Sequence, residues 1–230
     1  MFKEKIKDYG LDLFSPNLST DLQGFLFICI ICLITLLMIV RRPETRSILL
    51  TALIMRILFI IIGHYFFHLP DSKADALGYE WSAWNMGKDG FVNAITNFTG
   101  PGSQFYAWLM AIPYSIFGRN ILILQSIGMF FGIATVYVAY SLSDKIWGKE
   151  TAIRVGWLVA LFPSSILYSV IILKEVYSTF FLLLAMVGTV KWLDQKKQIY
   201  AFLALISFVI AGFFHGPLFL GGLIFIFIFF

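Results

Sequence analysis

The chain has 230 residues, 60% of them hydrophobic and 13% charged, with a formal net charge of +4 and a mean hydropathy of +0.86. A soluble domain is nearer half apolar and a quarter charged, so a water-facing globular fold is excluded and lipid-facing helices take its place. In such a chain the placement of Lys and Arg carries more information than their sum, and the pI of about 9.0 is not read as nucleic-acid binding.

Residues 1–21 read as an N-terminal tail. It mixes Lys3, Lys5 and Lys7 with Glu4, Asp8, Asp12 and Asp21, too long and too acidic a run for a signal peptide. Residues 22–230 read as a single transmembrane domain, an all-α polytopic helical bundle. A span needs roughly 20 apolar residues. Runs of about that length fall at 22–40, 47–66, 120–142, 155–173, 175–192 and 199–214. A seventh, 216–230, stops with nothing polar to end it, as a fragment or truncated product would. Cys29 and Cys32 lie in the first run, where buried packing is expected and a redox role is not.

The basic residues alternate. Arg41, Arg42 and Arg46 follow the first run, Lys145, Lys149 and Arg154 the third, and Lys191, Lys196 and Lys197 the fifth. These connections share one side, which the positive-inside rule makes cytoplasmic. The tail and the 69–119 connection then lie outside.

That outer connection is long for a plain loop. Asp75 to Lys88 predicts an amphipathic helix, with Leu77, Trp81 and Trp84 on a face suited to the membrane interface. Asp75, Tyr79 and Ala83 fall nearly opposite, facing the protein or a water-filled cavity. Gly87 and Gly90 end the helix, Gly100-Pro101-Gly102 makes a turn, and Ser103 to Phe117 predicts a second interfacial or re-entrant helix.

Asp75 leads the candidate residues. A carboxylate at a membrane surface deprotonates or orients an acceptor hydroxyl or amine, or binds a divalent cation; the plainer reading is a solvated helix cap. Asp71 is an auxiliary acid or loop polarity. Lys174 and Glu175 sit at a short outer turn, where a cation holds a lipid phosphate and an acid faces the Asp75 cavity, or where charges simply end two spans. His215, in the turn before the seventh run, binds phosphate or shuttles a proton. Arg119 holds phosphate bidentately or snorkels. Arg56, inside the second run, is functional or snorkels toward Arg46. His64 and His68 have metal-ligand spacing without a third ligand, so no metal site is assigned and no cofactor is certain. Asn17-Leu18-Ser19 and Asn97-Phe98-Thr99 are glycosylation sequons. The sequence carries no P-loop, dinucleotide turn, Ser/His/Asp arrangement or zinc-helix motif, which turns attention from a nucleotide-driven cytoplasmic enzyme to a donor met from outside.

Asp75, Tyr79, Ala83 and Gly90, with Gly100-Pro101-Gly102 through Phe117-Gly118, resemble the first outer loop of GT-C-fold glycosyltransferases. The group is that of the protein mannosyltransferases and lipid A aminoarabinose transferases. Trp147-Gly148-Lys149, Leu161-Phe162-Pro163-Ser164-Ser165 and Lys174-Glu175 extend the resemblance, which covers about residues 66–220. It implies a GT-C-like bundle and an inverting hexosyl or pentosyl transferase of the cell membrane. Such an enzyme takes sugar from a polyprenyl-phosphate carrier to a lipid, glycan or protein acceptor on the non-cytoplasmic face. It also implies Asp75 as catalytic base or acceptor-orienting residue, and Glu175 as the acid of the second outer turn. Tyr79, Lys174, Arg119 and His215 are the substrate-binding candidates. This sequence departs from the group in an extra span before the loop, in Ala76 where many members have an acid, and in being shorter. The alternative is a non-catalytic, lipid-binding or flippase-like protein, or an accessory membrane subunit, in which Arg56 and the outer charges guide a lipid phosphate.

Overall fold

A computed structural model describes residues 18–73 and 75–229. The readings of Lys3, Lys5, Lys7 and the Asn17 sequon fall outside that range. Among the described residues every regular element is helical: α1 (Leu18–Arg41), α2 (Arg46–Tyr65), α3 (Asp75–Gly87), α4 (Phe91–Thr96), α5 (Ser103–Phe117), α6 (Ile121–Trp147), α7 (Lys149–Leu161), α8 (Pro163–Val170), α9 (Glu175–Gln195), α10 (Gln198–Phe214) and α11 (Phe219–Phe229), with 3-10 turns at Pro43–Thr45 and Gly216–Leu218.

Among the described residues four helices are long and apolar enough to cross a membrane: Asp21–Arg41, Pro43–Tyr65, Ile121–Trp147 and Glu175–Gln195. The run expected as a continuous span at 155–173 is broken instead. Lys149–Leu161 and Pro163–Val170 meet at 53°, and the pair together has the length and composition of a broken span or a re-entrant loop. The cause is Pro163, which lacks an N–H and drives the residue before it out of the helical region; Phe162 has φ −64°, ψ 119°. The expected sixth and seventh spans are shorter apolar helices, Gln198–Phe214 and Gly216–Phe227.

α6 is the central element. Two thirds of its apolar stretch (67%) is buried, against 28–33% for the other three long helices, and α1, α2, α7, α8 and α9 all pack on it. With hydrocarbon around them, spans gain little from apolar burial and associate through close packing of small residues. Gly132 shows how close: a Cβ there would lie 2.5 Å from Ser169 Cβ and 2.7 Å from Arg56 Nε. Gly188 likewise brings the α9 backbone against Ala204 of α10, with 2.9 Å to Ala204 N. Cys29, by contrast, is exposed rather than buried, and Cys32 is half-buried; both are free.

The connections divide between two ends. Arg42 meets Asp144 at 3.4 Å and Lys145 meets Asp194 at 2.7 Å, so the three basic turns of the sequence do gather at one end. At the other, α3, α4 and α5 pack together, and Gly102 N–H donates to Phe213 O at 2.9 Å, tying the long connection to the end of α10.

Candidate functional site

The site lies at the end of the bundle that carries α3–α5. α3 begins at Asp75 and ends at Gly87, close to the sequence expectation, but its faces differ from it. Ala76, Leu77, Glu80, Ala83 and Gly87 are the buried residues. Leu77 therefore does not share an outward face with Trp81, which is exposed. Asp75 is exposed at the start of the helix. The inner stripe is Ala76, Glu80, Ala83 and Gly87, at helical spacing, and small residues let α5 approach: a Cβ on Gly87 would lie 2.6 Å from Ala111 O.

Glu80, in the middle of that stripe, is wholly buried. Arg119 donates to both of its oxygens, Nε to Oε1 at 2.9 Å and Nη2 to Oε2 at 2.8 Å, and the Tyr114 hydroxyl donates to Oε1 at 2.9 Å. Trp84 lies beneath the guanidinium, 5.7 Å from ring centroid to Cζ. Burial raises the Tyr114 pKa well above its usual value, and the adjacent Glu80 charge adds to it. Burial opposes the Arg119 charge, but Glu80 outweighs it and holds the guanidinium pKa above its usual value. Arg119 is therefore tied to Glu80, a residue the sequence reading missed. The overlooked signal was an acid inside a stripe of small residues.

Aromatic rings join the remaining candidates. Tyr79 packs edge-on against Tyr106 at 5.3 Å, Tyr106 lies 5.2 Å from Tyr177, and Tyr177 stacks on Phe214 at 5.4 Å. This ladder runs from α3 through α5 and α9 to α10. It links Asp75 and Tyr79 to the neighbourhood of Glu175, two residues before Tyr177, and of His215, next to Phe214. Electrostatics agree with the geometry. Burial raises the Tyr79 pKa first, then the charge of Glu175, then that of Asp75. Glu175 also contributes to the raised pKa of Tyr106.

Glu175 lines a cavity of about 340 Å³ with Val176 and Thr179 of α9, Leu158 and Val159 of α7, and Ser164 and Ser165 of α8. The bend at Pro163 opens this space. Its walls are mostly apolar, and Leu158 and Phe162 on its rim are exposed on the bundle surface. Glu175 Oε2 is buried beside it without a hydrogen-bond partner. Lys174, half-buried, forms the N-terminal boundary of α9. His215 is exposed at the end of α10.

Arg56 does not snorkel. It is wholly buried and donates to Ala52 O at 3.1 Å, Ser165 O at 3.3 Å and Ser165 Oγ at 3.1 Å, while Nε has no partner. It thus lies directly behind the serine wall of the cavity. His64 and His68 border a separate space of about 60 Å³ with Ser72, Glu80 and Gln125. His64 Nε2 lies 3.5 Å from Asp21 Oδ1, and the Tyr65 hydroxyl donates to Asp21 Oδ2 at 2.9 Å. Among the described residues no three His, Cys, Asp or Glu side chains gather as metal ligands.

The model of the family described as Orf76 (Ac76) matches residues 25–85, which is most of α1, all of α2 and most of α3. The match includes Asp75, Tyr79 and Glu80 and stops before Arg119 and Glu175. No curated protein matches the chain, and no solved structure does.

Proposed function

We propose that this chain is a membrane glycosyltransferase that moves a sugar from a polyprenyl-phosphate carrier to an acceptor on the non-cytoplasmic face. The observation that supports it best is the position of Tyr79. Burial raises the pKa of its hydroxyl, and the charges of two carboxylates distant in sequence, Glu175 and Asp75, add to that; Glu175 also lines an apolar cavity.

The chemistry needs three things at one place: an acid–base group, a phosphate-holding group and an apolar channel for the lipid. Asp75, exposed at the start of α3, takes the proton of an acceptor hydroxyl or amine. The acceptor oxygen or nitrogen attacks the anomeric carbon, the bond to the carrier phosphate breaks, and polyprenyl phosphate leaves with the electron pair. Tyr79 and Glu175 orient the acceptor and sugar. Lys174 supplies a cation to the phosphate and His215 a ring N–H that can donate to it. The cavity beside α8, with its rim open on the bundle surface, takes the first isoprene units. Arg119 has no direct part in this scheme, because it serves Glu80 and so fixes α3 against α5.

The test is sugar transfer by membranes containing the full-length protein and a labelled polyprenyl-phosphate sugar pool, comparing wild type with Asp75→Asn at equal protein level. Removing a general base lowers the rate by roughly 10²–10⁴. Equal transfer in both overturns the role of Asp75. Absence of transfer in wild type with sufficient donor and acceptor favours the lipid-binding or accessory-subunit reading, which the apolar cavity also suits. A chelator added to the same assay decides whether a divalent cation takes part.

A further inference from the structure

The end of the bundle away from Asp75 holds a second cavity, of about 550 Å³, between α6, α9 and the α1–α2 turn. Arg42, Lys145 and Lys191 bring three cations to its lining against one carboxylate, Asp144. Arg42 spans 3.4 Å to Asp144 and lies 5.8 Å from the Tyr137 ring centroid. Lys145 is held at 2.7 Å by Asp194, which is not part of the lining. Glu44, exposed on the 3-10 turn beside Arg42, is the remaining nearby acid. Lys191 is half-buried, 5.7 Å from the Tyr200 ring centroid, and among the described residues it pairs with no carboxylate. Tyr137 and Ser141 add hydroxyls.

Below the charges the wall turns apolar through Val138, Leu142, Leu184 and Val187. Leu142 is shared with a further cavity of about 370 Å³ that is almost entirely apolar, walled by Ile146, Met186, Val190 and Phe208. A cationic chamber thus opens beside an apolar one, near the ends of two helices long enough to span a membrane. Basic pockets between spans are the sites that hold anionic lipid headgroups. A soluble phosphate would use the first chamber and leave the second without purpose.

We propose that this pair of cavities binds an anionic glycerophospholipid, its phosphate among Arg42, Lys145 and Lys191 and an acyl chain along the Leu142 wall. The site is independent of the transfer reaction and serves to anchor α6 and α9 in a bilayer of the right charge.

The experiment is native mass spectrometry of the purified full chain, equilibrated with equal amounts of phosphatidylglycerol and phosphatidylcholine of identical acyl chains. Wild type retains phosphatidylglycerol preferentially. The double variant Arg42→Gln/Lys191→Gln loses that preference by roughly thirtyfold. Arg42→Lys/Lys191→Arg keeps it, and so does Arg154→Gln, an exposed residue paired with Glu150 outside the cavity. Equal retention of both lipids by wild type overturns the proposal. So does an unchanged preference in the double glutamine variant, or a charge-conserving variant that fails like the glutamine one. Displacement of the lipid by millimolar inorganic phosphate also overturns it, and identifies a free-phosphate site instead.

Discussion

Arg119 and Glu80 face each other as fork to fork, with both carboxylate oxygens occupied at 2.8–2.9 Å. The Glu80 side chain is 1% exposed and that of Arg119 18%. Removing one member of a buried pair costs about 3–5 kcal/mol because the other charge is left uncompensated. Glu80→Leu and Arg119→Met are each expected to lower the unfolding temperature sharply in detergent, while the double variant loses much less than their sum. A double-mutant cycle measures the coupling, and additive losses would show that the two residues act separately.

Tyr79→Phe removes only the hydroxyl and leaves the ring packed on Tyr106. Expression and unfolding temperature are expected to stay near wild type, while sugar transfer falls by up to about tenfold, the worth of one hydrogen bond. Unchanged transfer would take Tyr79 out of the site.

Gly132→Ala is expected to destabilise by about 1–3 kcal/mol, as overpacking does, because the new methyl meets Ser169 and Arg56. Gly78→Ala, with nothing within 4 Å of its Cβ position, is expected to stabilise by roughly 0.5–1 kcal/mol, the helix-interior difference between the two residues. The pair, read by thermal unfolding, separates close approach from helix propensity.

His68 has its pKa lowered, by burial first and then by the Lys73 charge. The unfolded chain therefore binds more protons than the folded one as pH falls past the ordinary histidine value of 6.5. The stabilisation is present above that value and is lost as pH drops through the folded pKa. Unfolding temperatures between pH 8 and pH 5 are expected to fall more steeply for wild type than for His68→Gln; parallel curves would remove His68 as the cause.

The long apolar helices and the α3 and α5 boundaries were legible because each rests on local signals: uncharged length, Gly87 and Gly90, and the turn at Gly100-Pro101-Gly102. The inner face of α3 was not. Trp81 and Trp84 dominate a hydrophobic count, whereas what faces α5 is a stripe of small residues carrying one acid. Size complementarity, unlike apolarity, needs the partner helix to be known. For the same reason Arg56 read equally well as snorkelling or functional until α6 supplied Gly132 and α8 supplied Ser165. The broken span was visible as Phe162-Pro163, yet the apolar run through it had the length of an ordinary crossing.

That break also sets which part of the chain should exchange its amide hydrogens first. In a continuous helix inside hydrocarbon, every amide away from the ends is locked to a carbonyl four residues back, and solvent deuterium has no foothold. Pro163 interrupts the register at 53°, and residues 171–174 leave the helix again. The first interruption borders a cavity lined by Ser164, Ser165 and Thr179, hydroxyls to which water can bond, and the second ends at Glu175 on the same cavity. The short helix between them, Pro163–Val170, is therefore a segment with a fast isotopic clock, ticking at a depth where α6 alongside it should remain protonated for far longer.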